Sequence, residues 1–289
     1  MRVGIDFGLS VTDAVVLDGS LPTAQAVLLR PGRASVEVVR HALKVLGVDP
    51  AEIEYVAVTG GRSRELPHEI DGLPIVVVDE PSAIGRGGLV LSHLDRALVV
   101  SCGTGTAMVA ANLSDAPHHH GSHRHVSGTP VGGGTLEGLA SRLLGVADAV
   151  EVFALAQRGS AAGVDTTLGD VLGGGVGTLP PTATAVSFGR LATSAVDAPR
   201  EDVAAGLVTM IAQTIALVAL NTARAEGLAS VVCIGRLAEA EGIRRMIEAV
   251  FRVYGAPAPH FPEGSAGAIA LGAAWSAGDT AAAALRDRA

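Results

Sequence analysis

Apolar positions along this chain alternate between short β-branched runs and longer stretches with helical spacing. Residues 2 to 7 and 11 to 17 alternate or run apolar on either side of Gly8-Leu9-Ser10, which predicts a hairpin, and a third strand near 24 to 29 completes a meander. Ser35 opens a helical pattern through Leu46 that places Val36, Val39, Ala42, Leu43 and Leu46 on one face. The short runs at 56 to 58 and 75 to 78 predict buried parallel strands, and a helix over 81 to 93 follows with Pro81 in its first turn. From Leu98 the plan of strand, glycine-rich turn and strand repeats, a repeat of architecture and not of residue identity. Residues 132 to 157 read as mostly helical, 159 to 181 as glycine-rich and irregular, and 201 to 226 as a long amphipathic helix. A strand at 231 to 234, a helix at 239 to 254 and an alanine-rich helix from about 265 complete the pattern. The fold class is α/β, with two similar lobes at 1–94 and 95–289.

At 289 residues, with 48% hydrophobic composition, the chain is long enough for two lobes with real cores. Apolar stretches such as 207 to 220 are too short or too interrupted to span a bilayer, and Met1 runs straight into a strand, so the expectation is a soluble, unexported protein with no membrane role. Cys102 and Cys233 lie in apolar strands and make no disulfide framework, which fits a reducing cytoplasm. The net charge of −8 and 3% aromatic content lack the basic stripe and stacking platforms that nucleic-acid binding uses. Lys44 is the only lysine, so phosphate charge would have to be met by Mg²⁺, arginine or backbone amides.

Three glycine-rich turns, each entered from an apolar run, carry the candidate chemistry: Gly4-Ile5-Asp6-Phe7-Gly8, Cys102-Gly103-Thr104-Gly105-Thr106 and Cys233-Ile234-Gly235. A polyphosphate approaching main chain needs N–H groups aimed at it and no Cβ in the way, which such turns supply. Their order predicts a nucleotide site built from both lobes. Asp6, at the end of the first strand, suits a hydrated Mg²⁺. Glu80, after Val78-Asp79, could accept a hydroxyl proton, or Asp79 or Glu80 could merely complement the helix N-terminus. Thr59-Gly60-Gly61 offers a close-approach turn, and Gly132-Gly133-Gly134-Thr135 offers either an anion site at a helix start or a hinge. Five histidines between His118 and His125 lack the spacing of a shaped metal site and read as a solvated hairpin tip. Arg62, Arg64, Arg86 and Arg124 flank these segments and could hold an anion, with Arg124 and Arg62 placed first for their neighbouring turns.

Several stretches together resemble the type II pantothenate kinases of the acetate and sugar kinase, heat-shock chaperone and actin superfamily. They are Gly4 to Gly8, Val58-Thr59-Gly60-Gly61, Val78-Asp79-Glu80, Cys102 to Thr106, Val126-Ser127-Gly128-Thr129, Gly132 to Thr135, Ala185-Val186-Ser187-Phe188-Gly189, Arg200 to Ala204 and Glu263 to Gly272. The resemblance implies a two-lobed actin-like, ribonuclease H-like ATPase fold with a nucleotide cleft between the lobes. It implies ATP- and Mg²⁺-dependent phosphorylation of the terminal hydroxyl of pantothenate, the first step of coenzyme A synthesis. Glu80 would be the general base and Asp6 the metal-side acid. Gly8, Leu9, Ser10, Gly103, Thr104, Gly105 and Thr106 would form the phosphate turns, with Gly132 to Gly134 beside them and Gly235 in the adenosine pocket. Thr59, Gly60, Arg124, His125, Gly128 and Thr129 are the expected substrate contacts. A homodimer joined near helix 201–226 and a coenzyme A or acyl-CoA regulator are the implied partners. The chain departs from the pattern at Gly8-Leu9-Ser10, where the family reads Gly-Gly-Thr, at Asp13, where it has lysine, and at His125, where it has arginine. An anion at Asp13 weakens nucleotide binding unless Mg²⁺ or an arginine compensates. These departures leave open a kinase of another small hydroxyl substrate and a non-catalytic nucleotide or acyl-CoA sensor.

Overall fold

The computed structural model describes residues 1–19, 21–28, 33–113, 122–192 and 197–286. The predicted meander forms as β1 (Arg2–Phe7), β2 (Thr12–Asp18) and β3 (Leu21–Leu28), the third strand starting three residues earlier than expected. Helix α1 (Val36–Leu46) is capped by the Ser35 side chain, which accepts from the Val38 N–H, and stops at Gly47 in the left-handed region. Strands β4 (Tyr55–Gly60), β5 (Glu69–Ile70) and β6 (Leu73–Val77) complete a sheet of order β3-β2-β1-β4-β6-β5. In it β1 pairs antiparallel with β2 and parallel with β4, while β4 runs parallel to β6. Helix α2 (Glu80–Ser92) then leads to β7 (Arg96–Cys102), β8 (Thr106–Asn112) and β9 (Ser122–Thr129).

After α3 (Gly133–Leu144) and α4 (Ala149–Ala156) comes the glycine-rich segment, which holds a small two-stranded sheet, β10 (Thr166–Thr167) and β11 (Thr184–Val186), around the short helix α5 (Leu168–Leu172). The fully buried Asp165 anchors it, accepting from the Phe188 N–H at 2.9 Å and the Thr184 hydroxyl at 2.8 Å. The long helix α6 (Arg200–Ala225), β12 (Val231–Ile234), α7 (Arg236–Glu239), α8 (Glu241–Val253) and α9 (Ala268–Arg286) follow. The helix expected over 239 to 254 thus begins earlier and breaks at Ala240, which is extended. Glu239 is tied off elsewhere, accepting from the Ala266 N–H and the Ser265 hydroxyl.

The second sheet has the order β12-β7-β8-β9, with β12 parallel to β7 and the other pairs antiparallel. Both sheets therefore contain a three-stranded meander with a parallel strand added beside its first member, a larger repeat than the strand, glycine-rich turn and strand expected from the chain. Helices α2 and α9 pack on each other and join the two sheets. Ile84 and Leu89 of α2 pack with Val99 and Val109, while Ala270 and Leu271 of α9 pack with Val15 and Leu17. The helix backbones meet where a Cβ on Gly272 would lie 1.9 Å from the Ala83 carbonyl oxygen. The C-terminal helix thereby returns to the N-terminal sheet, where Tyr55 donates to the Ala274 carbonyl at 3.0 Å.

The largest apolar cluster lies on the other face of the second sheet, with α6 at its centre against Leu136, Val152 and Ile247. Leu207, Ile211 and Ile215 on α6 are fully buried, each worth about 2 kcal/mol relative to exposure. Helix α6 is long and apolar enough to cross a membrane by length and composition, yet its apolar face is spent inside this core. Both cysteines are free and buried; hydrogen bonding with Cys102, reinforced by burial, holds the Cys233 thiol well above its ordinary range.

Candidate active site

Asp6 stands near the carboxyl end of β1, where the parallel pairing with β4 sets it opposite Thr59 and the antiparallel pairing with β2 sets it opposite Asp13. Its surroundings raise its pKa to about 7: burial contributes most, then the negative charges of Glu80 and Asp13, against a smaller opposing pull from Arg236. The turn after β4 closes over this carboxylate. Gly60 adopts φ of 81°, and a Cβ there would sit 2.5 Å from the Asp6 Oδ1, so no other residue fits without moving the acid. The Gly61 N–H donates to the Phe7 carbonyl at 2.8 Å and the Ser63 hydroxyl to the Gly60 carbonyl at 3.0 Å, which fixes the turn.

Helix α2 presents Glu80 at its first position. Asp79 is the cap: its carboxylate accepts from the Ser82 N–H at 3.0 Å. The open choice between the two acids is thereby divided, with the helix N-terminus served by Asp79 and Glu80 exposed beside Asp6.

The first two glycine-rich turns touch. Ser10 Oγ lies 2.8 Å from Thr104 Oγ1, joining the β1–β2 turn to the β7–β8 turn across 94 residues of sequence, and Leu9 is exposed beside that contact. Gly103 donates to the Gly105 carbonyl at 2.9 Å, which tightens the second turn, and the Thr106 hydroxyl donates to the Val131 carbonyl at 2.8 Å. The Gly132 to Gly134 segment backs this turn. The Gly133 and Gly134 N–H groups donate to the Gly103 and Thr104 carbonyls at 2.8 and 2.9 Å, and the Gly132 N–H donates to Thr135 Oγ1 at 3.2 Å. These three donors are used within the protein, holding the phosphate-type turn from behind. Gly235, φ 93°, lies against the same turn, because a Cβ there would meet the Cys102 carbonyl oxygen at 2.6 Å.

Arg236, directly after Gly235, reaches Asp13 on β2 and forms an ion pair with it. Neither the spacing nor the motifs announced this pair, whose members lie 223 positions apart. Burial still raises the Asp13 carboxyl above its ordinary range, outweighing the guanidinium.

The substrate candidates on β9 divide between its faces. His125 pairs with Val109, whose side chain packs with α2, and its Nε2 is the side-chain atom nearest Gly128 on the way to Thr129. Arg124 pairs with Ala110 on the opposite face and bridges to Glu226 at 2.6 Å, at the end of α6. Arg62 contacts Glu65 at 3.6 Å, and Arg86 stacks on Trp275, as does Arg2. His118, His119 and His120 lie outside the described residues, while His123 lies on β9 against Gly85 of α2. A cavity of about 760 Å³ lies elsewhere, between α4, α6, α8 and the β10–β11 pair, lined by Gln157, Thr209, Gln213 and Met246 among others.

The residues at the joined turns fit a nucleotide polyphosphate with Mg²⁺. The two glycine-rich turns touch at Ser10 and Thr104, close in sequence to Asp6, and the buried Thr12 and Thr59 hydroxyls and Arg236 Nε have no hydrogen-bond partner. Among the described residues no cluster of three or more metal-ligating side chains occurs. That is compatible with Mg²⁺, which is commonly held by one or two carboxylates plus phosphate oxygens and water.

The architecture and the converging turns define an actin-like ATPase fold. Among solved structures, the chain is similar to the activator of the 2-hydroxyisocaproyl-CoA dehydratase from Clostridium difficile with bound ADPNP, at TM-score 0.65 and 18% identity, covering 99% of this chain and 97% of that one. It is also similar to a ROK family glucokinase from Streptomyces griseus in complex with glucose and AMPPNP, at TM-score 0.59 and 15% identity, covering 94% and 97%. The Fumble family profile matches residues 96–255, more than half of the chain, and the chain belongs to that family. A type II pantothenate kinase from Oceanobacillus iheyensis is 28% identical over 184 residues, 62% of this chain and 65% of the relative. One from Bacillus cereus is 26% identical over 191 residues, 63% and 66% respectively. Pantothenate kinase 1 of Oryza sativa subsp. japonica is 34% identical over 136 residues, 45% of this chain and 19% of the relative. The matched chain thus spans just under two thirds of the length of the bacterial relatives.

Proposed function

We propose that this protein is an ATP- and Mg²⁺-dependent kinase that phosphorylates the terminal hydroxyl of pantothenate, acting in the cytoplasm at the entry to coenzyme A synthesis. The observation that carries the reading is the division of labour at α2: Asp79 caps the helix, while the exposed Glu80 is close enough to Asp6 for its charge to help raise the Asp6 pKa. Family membership and the relatives named pantothenate kinase support the substrate.

In this reading Gly8, Leu9, Ser10 and the turn from Gly103 to Thr106 hold the nucleotide phosphates, braced by Gly132, Gly133 and Gly134, and Gly235 lies beside the adenosine. Asp6 holds the metal side. Bound Mg²⁺-ATP supplies the phosphoryl group and neutralises its developing charge. Glu80 accepts the proton of the acceptor hydroxyl, and Thr59, Gly60, His125, Gly128 and Thr129 orient the acceptor, so that catalysis is positioning plus proton removal. The tie of Arg124 to Glu226 favours a second reading, a different small hydroxyl acceptor, because the arginine expected for a carboxylate is engaged on the opposite face of β9. A panel of hydroxyl acceptors scored by ATP consumption separates the two.

The proposal includes a homodimer and a coenzyme A or acyl-CoA regulator, both carried by the family resemblance; the dimer contact expected near helix 201–226 is not supported there, because the apolar face of α6 is packed inside the core, and the exposed apolar side chains lie instead at Leu143, Val150, Val171 and Leu172 of α3, α4 and α5. The lobe division near residue 94 belongs to the same reading, with α9 returning to the first lobe. Glu80→Gln tests the mechanism. Turnover of pantothenate is expected to fall about 100-fold or more with ADP affinity within a few-fold of wild type; retained turnover removes Glu80 as the base.

A further inference from the structure

Arg236 occupies an unusual position for a cation. It follows the Gly235 turn of the second sheet, yet its guanidinium pairs with Asp13 on β2 of the first sheet, beside Asp6. Asp13 is buried, with its side chain only 8% exposed, whereas the Arg236 side chain is 38% exposed. The pair uses one terminal nitrogen, and Nε is buried with no hydrogen-bond partner. A buried, unpartnered N–H of a charged group is costly, and a guanidinium has five donors in a fork that matches phosphate oxygens. Asp6, Asp13 and Glu80 place three carboxylates around the joined turns, so a polyphosphate entering there needs a cation besides any metal.

We propose that Arg236 is the phosphate-binding cation of this site, with Asp13 as the positioning residue that holds its guanidinium across the two sheets. This rests on the reading of the joined turns as a nucleotide site. β2 carries an acid, Asp13, beside Asp6, and the positive charge there comes from the opposite sheet through Arg236. Arg236 then contacts groups on both sides of the cleft, so phosphate binding and the approach of the sheets are coupled through one side chain.

The test compares ADP binding, measured by equilibrium titration with Mg²⁺, in wild type, Arg236→Gln, Arg236→Lys and the double variant Arg236→Gln with Asp13→Asn. The double variant removes both charges together and so leaves no unpaired buried carboxylate to unfold the protein. Direct phosphate contact predicts about 10-fold or greater loss of ADP affinity in Arg236→Gln and in the double variant, partial recovery in Arg236→Lys, and a shallower salt dependence of binding in both glutamine variants. ADP affinity within about twofold of wild type in the double variant overturns the proposal, since it shows that Arg236 only neutralises Asp13. An unimpaired Arg236→Gln overturns it as well. Wild-type protein that binds no ADP removes the nucleotide reading itself, and this inference with it.

Discussion

Asp6→Asn replaces a carboxylate held among other carboxylates by a neutral side chain of the same size, and the structure sets the size of the effect. The Asp6 pKa rises from 3.8 to about 7 in the folded protein, chiefly through burial, with Glu80 and Asp13 adding to it. A raised carboxyl pKa means that the native state binds more protons than the unfolded chain between those two values. The stability contribution is therefore fully present below about pH 4 and is lost as pH rises through about 7. Near 1.4 kcal/mol per pKa unit, the whole penalty is about 4 kcal/mol above pH 8, and about 3 kcal/mol of it develops between pH 5 and pH 8. Urea unfolding without divalent cations, at both pH values, should show Asp6→Asn more stable than wild type by about 3 kcal/mol more at pH 8 than at pH 5. Mg²⁺ with ADP should recover stability for wild type and not for the variant, by mass action on the ionised acid. Parallel pH profiles for the two proteins would refute the claim that Asp6 is an acid held against ionisation.

The placement of Arg124 and His125 on opposite faces of β9 makes a paired prediction. Arg124→Ala should cost less than about 1 kcal/mol and leave the KM for pantothenate within about twofold, as expected for loss of an exposed ion pair, while His125→Ala should raise that KM about 10-fold; kinetics in which Arg124→Ala carries the KM effect would reverse the assignment. Gly60→Ala should destabilise the protein by about 2 kcal/mol, from a strained positive φ and a Cβ 2.5 Å from the Asp6 carboxylate, and should depress kcat as well; a chemical denaturation curve and initial rates report both.

Much of the fold was legible because its signals are local. Short β-branched runs, the Ser35 cap, Pro81 at the head of α2 and the long apolar stretch of α6 each mark an element without reference to the rest of the chain. The candidate acids and turns were singled out for the same reason, since Asp6 lies near the end of β1, Glu80 opens α2 and the glycines lie in turns that follow strands. The contacts that give the site its electrostatics are long-range. Asp13 met as a departure from a lysine position gives no sign of Arg236, because only the joining of the two sheets through α2 and α9 brings that side chain to β2. Gly132 to Gly134 reads as an anion turn from composition, and only the fold shows its N–H groups spent on Gly103, Thr104 and Thr135. The division of Arg124 from His125 does have a local signal, since consecutive residues of a strand face opposite ways, but the polar run from His118 to His125 masks the strand by reading as a hairpin tip. The break at Ala240 and the anchoring of 159–189 on Asp165 likewise depend on partners distant in sequence.

The proposed activity is the transfer of a phosphoryl group from ATP to pantothenate. The most direct measurement is mass spectrometry of the product after incubating the purified protein with Mg²⁺, ATP and pantothenate, with Glu80→Gln run in parallel. Pantothenate carrying one added phosphoryl group is expected in the wild-type reaction and almost none in the variant. ATP bound with pantothenate unmodified, or equal product from both proteins, would contradict it.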